Sequence, residues 1–203
     1  MSQVFTIEKS IEYNYSYGEN FKELKDILIK EESYPYHMDG FFDPEIIDLR
    51  EDDSTKNLPK FTLFVSSEEK IVATYAAREL PYQEYEKFFK KYVVKTCNGT
   101  YYDITIPTGK QWYSSCQWVH EDHRGQSLGI KLDRLKKDKI WELGGTLNYA
   151  NCRDGLKEYH VKHLGYEKYQ YQAHVPGGNV GGSGTVEDKK YYIIHESAPN
   201  PFF

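Results

Sequence analysis

Trp118-Val119-His120-Glu121-Asp122-His123-Arg124-Gly125-Gln126-Ser127-Leu128-Gly129-Ile130 is the stretch on which the reading of this chain turns. Before it, Trp112 to His120 reads as a strand. After it, Leu128, Leu132 and Leu135 mark one face of a helix that runs to the stop signal Gly144-Gly145. Strand, turn and helix are therefore contiguous. The first N–H groups of such a helix have no partner within it and the helix dipole is positive there, so a phosphate can be held without dedicated cationic side chains. Gly125 and Gly129 let a ligand and the neighbouring strand come close, and Ser127 adds a hydroxyl donor.

Outward from this stretch, the pattern alternates strands and helices. Val4 to Tyr17 alternates apolar and polar residues as an opening strand, and Asn20 caps a helix with Phe21, Leu24, Ile27 and Leu28 on one face. Ser33 to Asp53 carries Pro35, Gly40 and Pro44 and reads as short helical pieces and loops. Phe61 to Val65 and Ile71 to Ala77 flank the charged turn Ser66 to Lys70 as an antiparallel hairpin. Tyr82 to Val94 reads as a helix, and Thr96 to Lys110 as a hairpin or long connection. Downstream come a strand at Thr146 to Asn151, a helix capped by Asp154 and ended by Gly165, a strand with Tyr169, Tyr171, Ala173 and Val175 on one face, a Gly-rich connection from Pro176 to Gly184, and a last strand at Lys190 to His195. This order predicts an α/β (α+β) protein, a mixed central sheet with helices on both faces, in a single domain over residues 1–203 with an insertion at 81–110.

Composition bounds the function. A chain of 203 residues with 39% hydrophobic and 28% charged residues, 19 Tyr and 10 Phe is globular, and a net charge of -5 argues against a nucleic-acid binder. The basic stretches Lys87 to Lys91 and Lys131 to Lys139 are interleaved with apolar residues and read as solvated helix faces. Cys97, Cys116 and Cys152 are odd in number and far apart, which fits reduced thiols rather than a disulfide framework. The first residues lack the apolar run of a secretion signal, and no stretch has the length of a membrane span. A cytoplasmic protein with no nucleic-acid and no membrane partner is expected, its oligomeric state left open by the sequence.

The turn Arg124-Gly125-Gln126-Ser127-Leu128-Gly129 resembles motif A of the GNAT (Gcn5-related N-acetyltransferase) superfamily, with Ser127 standing where that family usually has its middle Gly. A second match follows in family order: Thr146-Leu147-Asn148-Tyr149-Ala150-Asn151, the helix from Asp154, and Leu164-Gly165-Tyr166. The resemblance covers residues 110 to 170 well. It implies a GNAT-like acyl-CoA N-acyltransferase fold, and acetyl-CoA as co-substrate with its pyrophosphate at Arg124, Gly125, Gln126, Ser127, Leu128 and Gly129. It also implies pantetheine inserted between two splayed strands beside the backbone of Trp118 and Val119, with Asn151 in contact with the cofactor. The acceptor, a small-molecule or peptide amine, would attack the thioester directly, so Cys116 and Cys152 are not read as nucleophiles.

Many members of the family place a Tyr four residues before the Gly that follows the second helix, and that position here is Val161. Tyr159 and His160 are the neighbouring candidates for proton donor, and Glu121, His120 or water for base. Two rival readings stand beside the transferase: a non-catalytic CoA- or ligand-binding module of the same fold, and a His-based metal site built from His120-x-x-His123 and His160-x-x-His163. Neither His pair has the His-Glu-x-x-His arrangement, and no metal is expected.

Overall fold

The computed structural model describes residues 11–18, 58–180, 184–186 and 188–199. The expected helix from Asn20, the loops of Ser33 to Asp53 and the first part of the opening strand lie outside them. Among the described residues, β1 (Asn14–Gly18) comes first, and β2 (Lys60–Ser67) and β3 (Lys70–Glu79) make the hairpin read from its alternation. The hairpin turns on Glu68 and Glu69 alone, both at positive φ (49° and 65°), which is the twist that a two-residue connection requires. Helix α1 (Tyr82–Lys91) runs on through a wide turn, Tyr92–Thr96. The Thr96 to Lys110 segment does not form a hairpin of its own. Its short strand β4 (Thr100–Tyr101) pairs instead with β7 (Lys168–Val175), more than sixty residues on, a pairing set by where α1 delivers the chain.

Strand β5 (Gln111–Val119) leads through a 3-10 turn, Glu121–His123, to α2 (Leu128–Glu142). Strand β6 (Leu147–Arg153) leads through a second 3-10 turn, Asp154–Leu156, to α3 (Lys157–Leu164), which stops at Gly165 with φ +77°. Asp154 is not the N-cap expected of it. It opens the 3-10 turn, caps nothing with its side chain, and pairs with Lys157 one turn on. The connection from Pro176 contains a small hairpin, β8 (Gly178–Val180) with β9 (Gly184–Val186), before β10 (Lys189–Ser197) closes the sheet.

The eight-stranded sheet has the order β1-β2-β3-β5-β6-β10-β7-β4 and is antiparallel except for the parallel seam between β5 and β6. Alternation sorts residues to two faces. Tyr113, Tyr149 and Ile193 pack under Tyr82, Tyr85 and Phe89 of α1, whereas Trp112 meets Ile140 of α2 and Ala150, Cys152 and Ile194 meet Leu164 of α3. Helices therefore cover both faces, as the element order predicts.

The basic stretch Lys131 to Lys139 is a solvated face only in part, with Lys131 and Arg134 exposed. Lys136 is fully buried and Lys137 nearly so. Lys136 Nζ lies 2.9 Å from Asp133 and donates to the Tyr166 hydroxyl at 3.1 Å, with the Tyr75 ring 4.3 Å away. Lys137 is held by Asp133, Glu196 and the Leu164 carbonyl, over the Tyr166 ring. A buried cation is tolerated where carboxylates, hydroxyls and ring faces replace its water, and the sequence pattern of one helix does not show those distant partners. Burial still pulls the Lys136 amine down to about 8, against the upward pull of Asp133.

Candidate active site

The seam between β5 and β6 is closed at one end and open at the other. Gln111, Trp112, Tyr113 and Ser114 pair with Leu147, Asn148, Tyr149 and Ala150, and there the ladder stops. Ser115 to Val119 and Asn151 to Arg153 continue as strands without pairing to each other. A bulge supplies the physical reason. On the β3 side Thr74 faces Trp118 and Ala76 faces Ser115, so Tyr75 is opposed by both Cys116 and Gln117, and the extra residue bends β5 where it leaves β6.

The closed end is locked by polar side chains. Ser114 donates to the Asn148 carbonyl oxygen, Asn148 Nδ2 to the Tyr166 hydroxyl at 3.2 Å, and Tyr166 to Asp133 at 3.4 Å. Asn148 and Tyr166, both in the second sequence match, thus anchor the seam to α2, and burial raises the Tyr166 phenol well above its ordinary range.

The open end leads into the turn. The His120 N–H donates to Val72 O at 2.8 Å, so by the alternation of an extended backbone the N–H and C=O of Val119 face away from β3, toward the unpaired stretch. Arg124 Nε takes that carbonyl at 3.1 Å, folding the turn back on the strand end. Gly125 has φ +80° and Ser127 φ 58°, and a Cβ built on Gly125 would meet nothing within 4 Å. No side chain caps α2, and among the described residues the N–H groups of Gln126, Ser127, Leu128, Gly129 and Ile130 donate to no backbone carbonyl outside the helix. The result is a row of N–H donors at the positive end of a 15-residue helix, suited to a phosphate.

Gln117 was not among the residues singled out by sequence. Its Nε2 donates to Gly129 O at 3.0 Å and ties the turn to the β5 bulge. The bulge arises from β3–β5 register, which leaves no local signal.

The remaining candidates lie on β6, on α3 and in the turn after β5. Asn151, on the part of β6 that has left β5 and stays paired with β10, donates from Nδ2 to Gln172 Oε1 at 2.8 Å. Val161 packs against the Ala150–Cys152 cluster, so the position where the resemblance implies a phenol carries an apolar contact. His160 is buried, its Nδ1 donating to Leu156 O at 2.8 Å and its ring edge-on to Tyr166; burial lowers its pKa, partly offset by that hydrogen bond and Asp133. Tyr159 is exposed, its ring tilted at 36° against that of His163. His120 accepts from the Asp122 N–H and packs on Trp118, and His123 reaches the Tyr13 hydroxyl at 3.2 Å. Among the described residues no three His, Cys, Asp or Glu side chains converge as metal ligands, so the two His pairs do not form one site. Cys97 is half-buried and Cys152 buried, and neither is in a disulfide.

No protein-family model matches the chain, and no curated protein sequence does. Solved structures do match. The Drosophila melanogaster polyamine N-acetyltransferase, which forms N-acetylagmatine, superimposes with a TM-score of 0.54 at 14% identity, over 91% of this chain and 100% of that one. A Lactobacillus plantarum protein described as an N-acetyltransferase gives 0.50 at 9% identity, over 91% of this chain and 97% of its own. At such identities the likeness is one of fold. The chain has the GNAT-type acyl-CoA N-acyltransferase fold that its turn and second motif imply.

Proposed function

We propose that this protein is an acetyl-CoA-dependent N-acetyltransferase of the cytoplasm, acting on a small-molecule or peptide amine. The observation that carries this reading is the coincidence of a seam that opens after Ser114 and Ala150 with a row of unpaired N–H groups at the start of α2. The row would hold the pyrophosphate, and Arg124 ties the turn to the Val119 carbonyl. The open seam would admit the pantetheine arm, with the Val119 N–H facing the thioester oxygen as charge develops there. The amine nitrogen forms the C–N bond, the C–S bond breaks, and the proton lost by the nitrogen balances the one taken up by the departing thiolate. Tyr159, whose phenol is exposed, is the proton donor we retain. The ring of His160 is held against Tyr166 instead. The polyamine substrate of the Drosophila enzyme supports a small amine as acceptor, and a net charge of -5 is compatible with a cationic one.

A panel of amines assayed for CoA release from acetyl-CoA tests this. Turnover with at least one amine, retained in Cys116→Ala and Cys152→Ala and reduced in kcat by Tyr159→Phe, is expected. Loss of turnover in a folded, CoA-binding Cys variant would mean a covalent route. One observation favours the second reading, a non-catalytic binding module: Val161 offers no proton where the resemblance implies a phenol. Acetyl-CoA that raises the melting temperature while no amine is acylated would establish that module.

A further inference from the structure

A line of side-chain hydrogen bonds runs from the surface of α1 to the open seam. Asn151 Nδ2 donates to Gln172 Oε1 at 2.8 Å, and Gln172 Nε2 donates to the Tyr82 hydroxyl at 3.1 Å. Tyr82 and Tyr101 share a hydrogen bond at 3.2 Å, and Tyr101 donates to Glu86 Oε1 at 2.9 Å. A carboxylate can only accept, so Glu86 fixes the direction of every link: Tyr101 gives its proton to Glu86, Tyr82 gives its own to Tyr101, and both amides are held in one orientation. The arrangement is built in. Tyr191 pairs with Ala173 and Tyr192 with Tyr171, which makes Gln172 the extra residue of a β7 bulge, re-aimed onto the α1 face where Tyr82 waits. Gln172 is fully buried, and burial pushes the Tyr82 phenol up to about 12 and the Tyr101 phenol higher, so both stay protonated as the line requires. Two amides interrupt the line, so it does not conduct protons. It holds groups in place.

We propose that Glu86, Tyr101, Tyr82 and Gln172 are positioning residues that fix the Asn151 carboxamide with its carbonyl oxygen left as the acceptor for a ligand N–H in the open seam, an amide of the CoA arm. The inference rests on the proposed function for its ligand, though not for the line itself. Three of the four positioning residues come from the 81–110 segment, which thereby reaches the seam from the sheet's far edge.

The test uses the full chain with assigned side-chain amide NMR signals and CoA titrated by calorimetry. In Glu86→Leu the Tyr101 hydroxyl loses its fixed acceptor, so the Asn151 and Gln172 side-chain NH2 signals shift in the free protein and CoA affinity falls about three- to tenfold, the loss of one well-placed hydrogen bond. Glu86→Gln, whose amide carbonyl still accepts, restores most of that affinity. Asn151→Ala loses affinity to a similar degree, and adding Glu86→Leu to it costs nothing more, because the end of the line is already gone. Unmoved Asn151 signals in a folded Glu86→Leu variant, unchanged CoA affinity in that variant, or additive losses in the double variant would each overturn the proposal. NH2 shifts in Glu86→Leu together with a wild-type chain that binds no CoA would instead overturn the acyltransferase reading and the ligand assigned here, while leaving the line of hydrogen bonds demonstrated.

Discussion

The two ends of the β5–β6 seam are built from similar residues and do opposite things with them. At the closed end one set of buried polar groups is matched: Ser114, Asn148, Tyr166, Asp133 and Lys136 are connected, with Lys137 and Glu196 attached. At the open end, backbone N–H groups and the Asn151 carbonyl oxygen are left unmatched among the described residues. The contrast teaches how a sheet can be split without coming apart. Strand separation exposes backbone groups that would otherwise pair, and it is sustained only if the strands are firmly joined elsewhere. The locked end supplies that joint, and the β5 bulge sets where it stops.

Breaking the closed end gives the largest expected effect. Asp133→Ala leaves two buried ammonium groups without their shared carboxylate, and removing one partner of a buried pair costs about 3–5 kcal/mol. Chemical denaturation reads this directly. A loss below about 1 kcal/mol would mean that Lys136 and Lys137 reach water and that the joint lies elsewhere.

Breaking the open end affects binding and spares stability. In Gly129→Asp the added Cβ meets only Gln117 Nε2, at 3.4 Å, and a carboxylate in the first turn of a helix is favourable to the helix itself. The same charge opposes a pyrophosphate, whose charge-assisted hydrogen bonds are worth about 1.5–3 kcal/mol each. Affinity for CoA is expected to fall by about a hundredfold or more with an unchanged or higher melting temperature. Unchanged affinity in the folded variant would remove the turn from the site.

A subtler change sharpens the comparison. Ser127 sits at φ 58°, a conformation costing an L-residue roughly 1–2 kcal/mol, part of which glycine returns as chain entropy. Ser127→Gly should therefore raise stability by no more than about 1 kcal/mol and leave CoA binding intact. A marked loss of affinity would show that the Ser127 hydroxyl is itself a ligand donor.

The smallest effect is one of pH. Burial lowers the His160 pKa below its ordinary 6.5, so the folded chain favours the neutral ring. That contribution is present above pH 6.5 and is lost as the pH falls through the folded value, because the unfolded chain then binds the extra proton. His160→Gln should flatten the decline in melting temperature on acidification below that point. An unchanged decline would assign it to carboxylates such as Asp133, whose pKa is lowered by Lys136 and Lys137 despite burial.

Much of the open end was legible in the sequence, because its signals are local. The helical spacing of Leu128 and Leu132, the glycine at 125 and the stop at Gly144 lie within one contiguous stretch, and strand, turn and helix appear where it places them. The closed end was far less so. Lys136 and Lys137 look like a solvated face until Glu196, some sixty residues away, and Tyr75 on another strand are brought to them. The same holds for Gln117 and Gln172, each made informative by a bulge that depends on the register of two strands. The pairing of β4 with β7 has no turn to announce it, so Thr96 to Lys110 carried hairpin-like punctuation without becoming a hairpin.

The proposed function needs one end of the seam to open for a ligand and the other to stay shut. Backbone 15N–1H spectra recorded during a CoA titration address it most directly. Shifts are expected in Gln126 to Ile130, in Ser115 to Val119 and in Asn151 to Arg153, with Gln111 to Ser114 and Leu147 to Ala150 unmoved. Saturating CoA that leaves the first set unchanged, or that moves the paired residues instead, would contradict it.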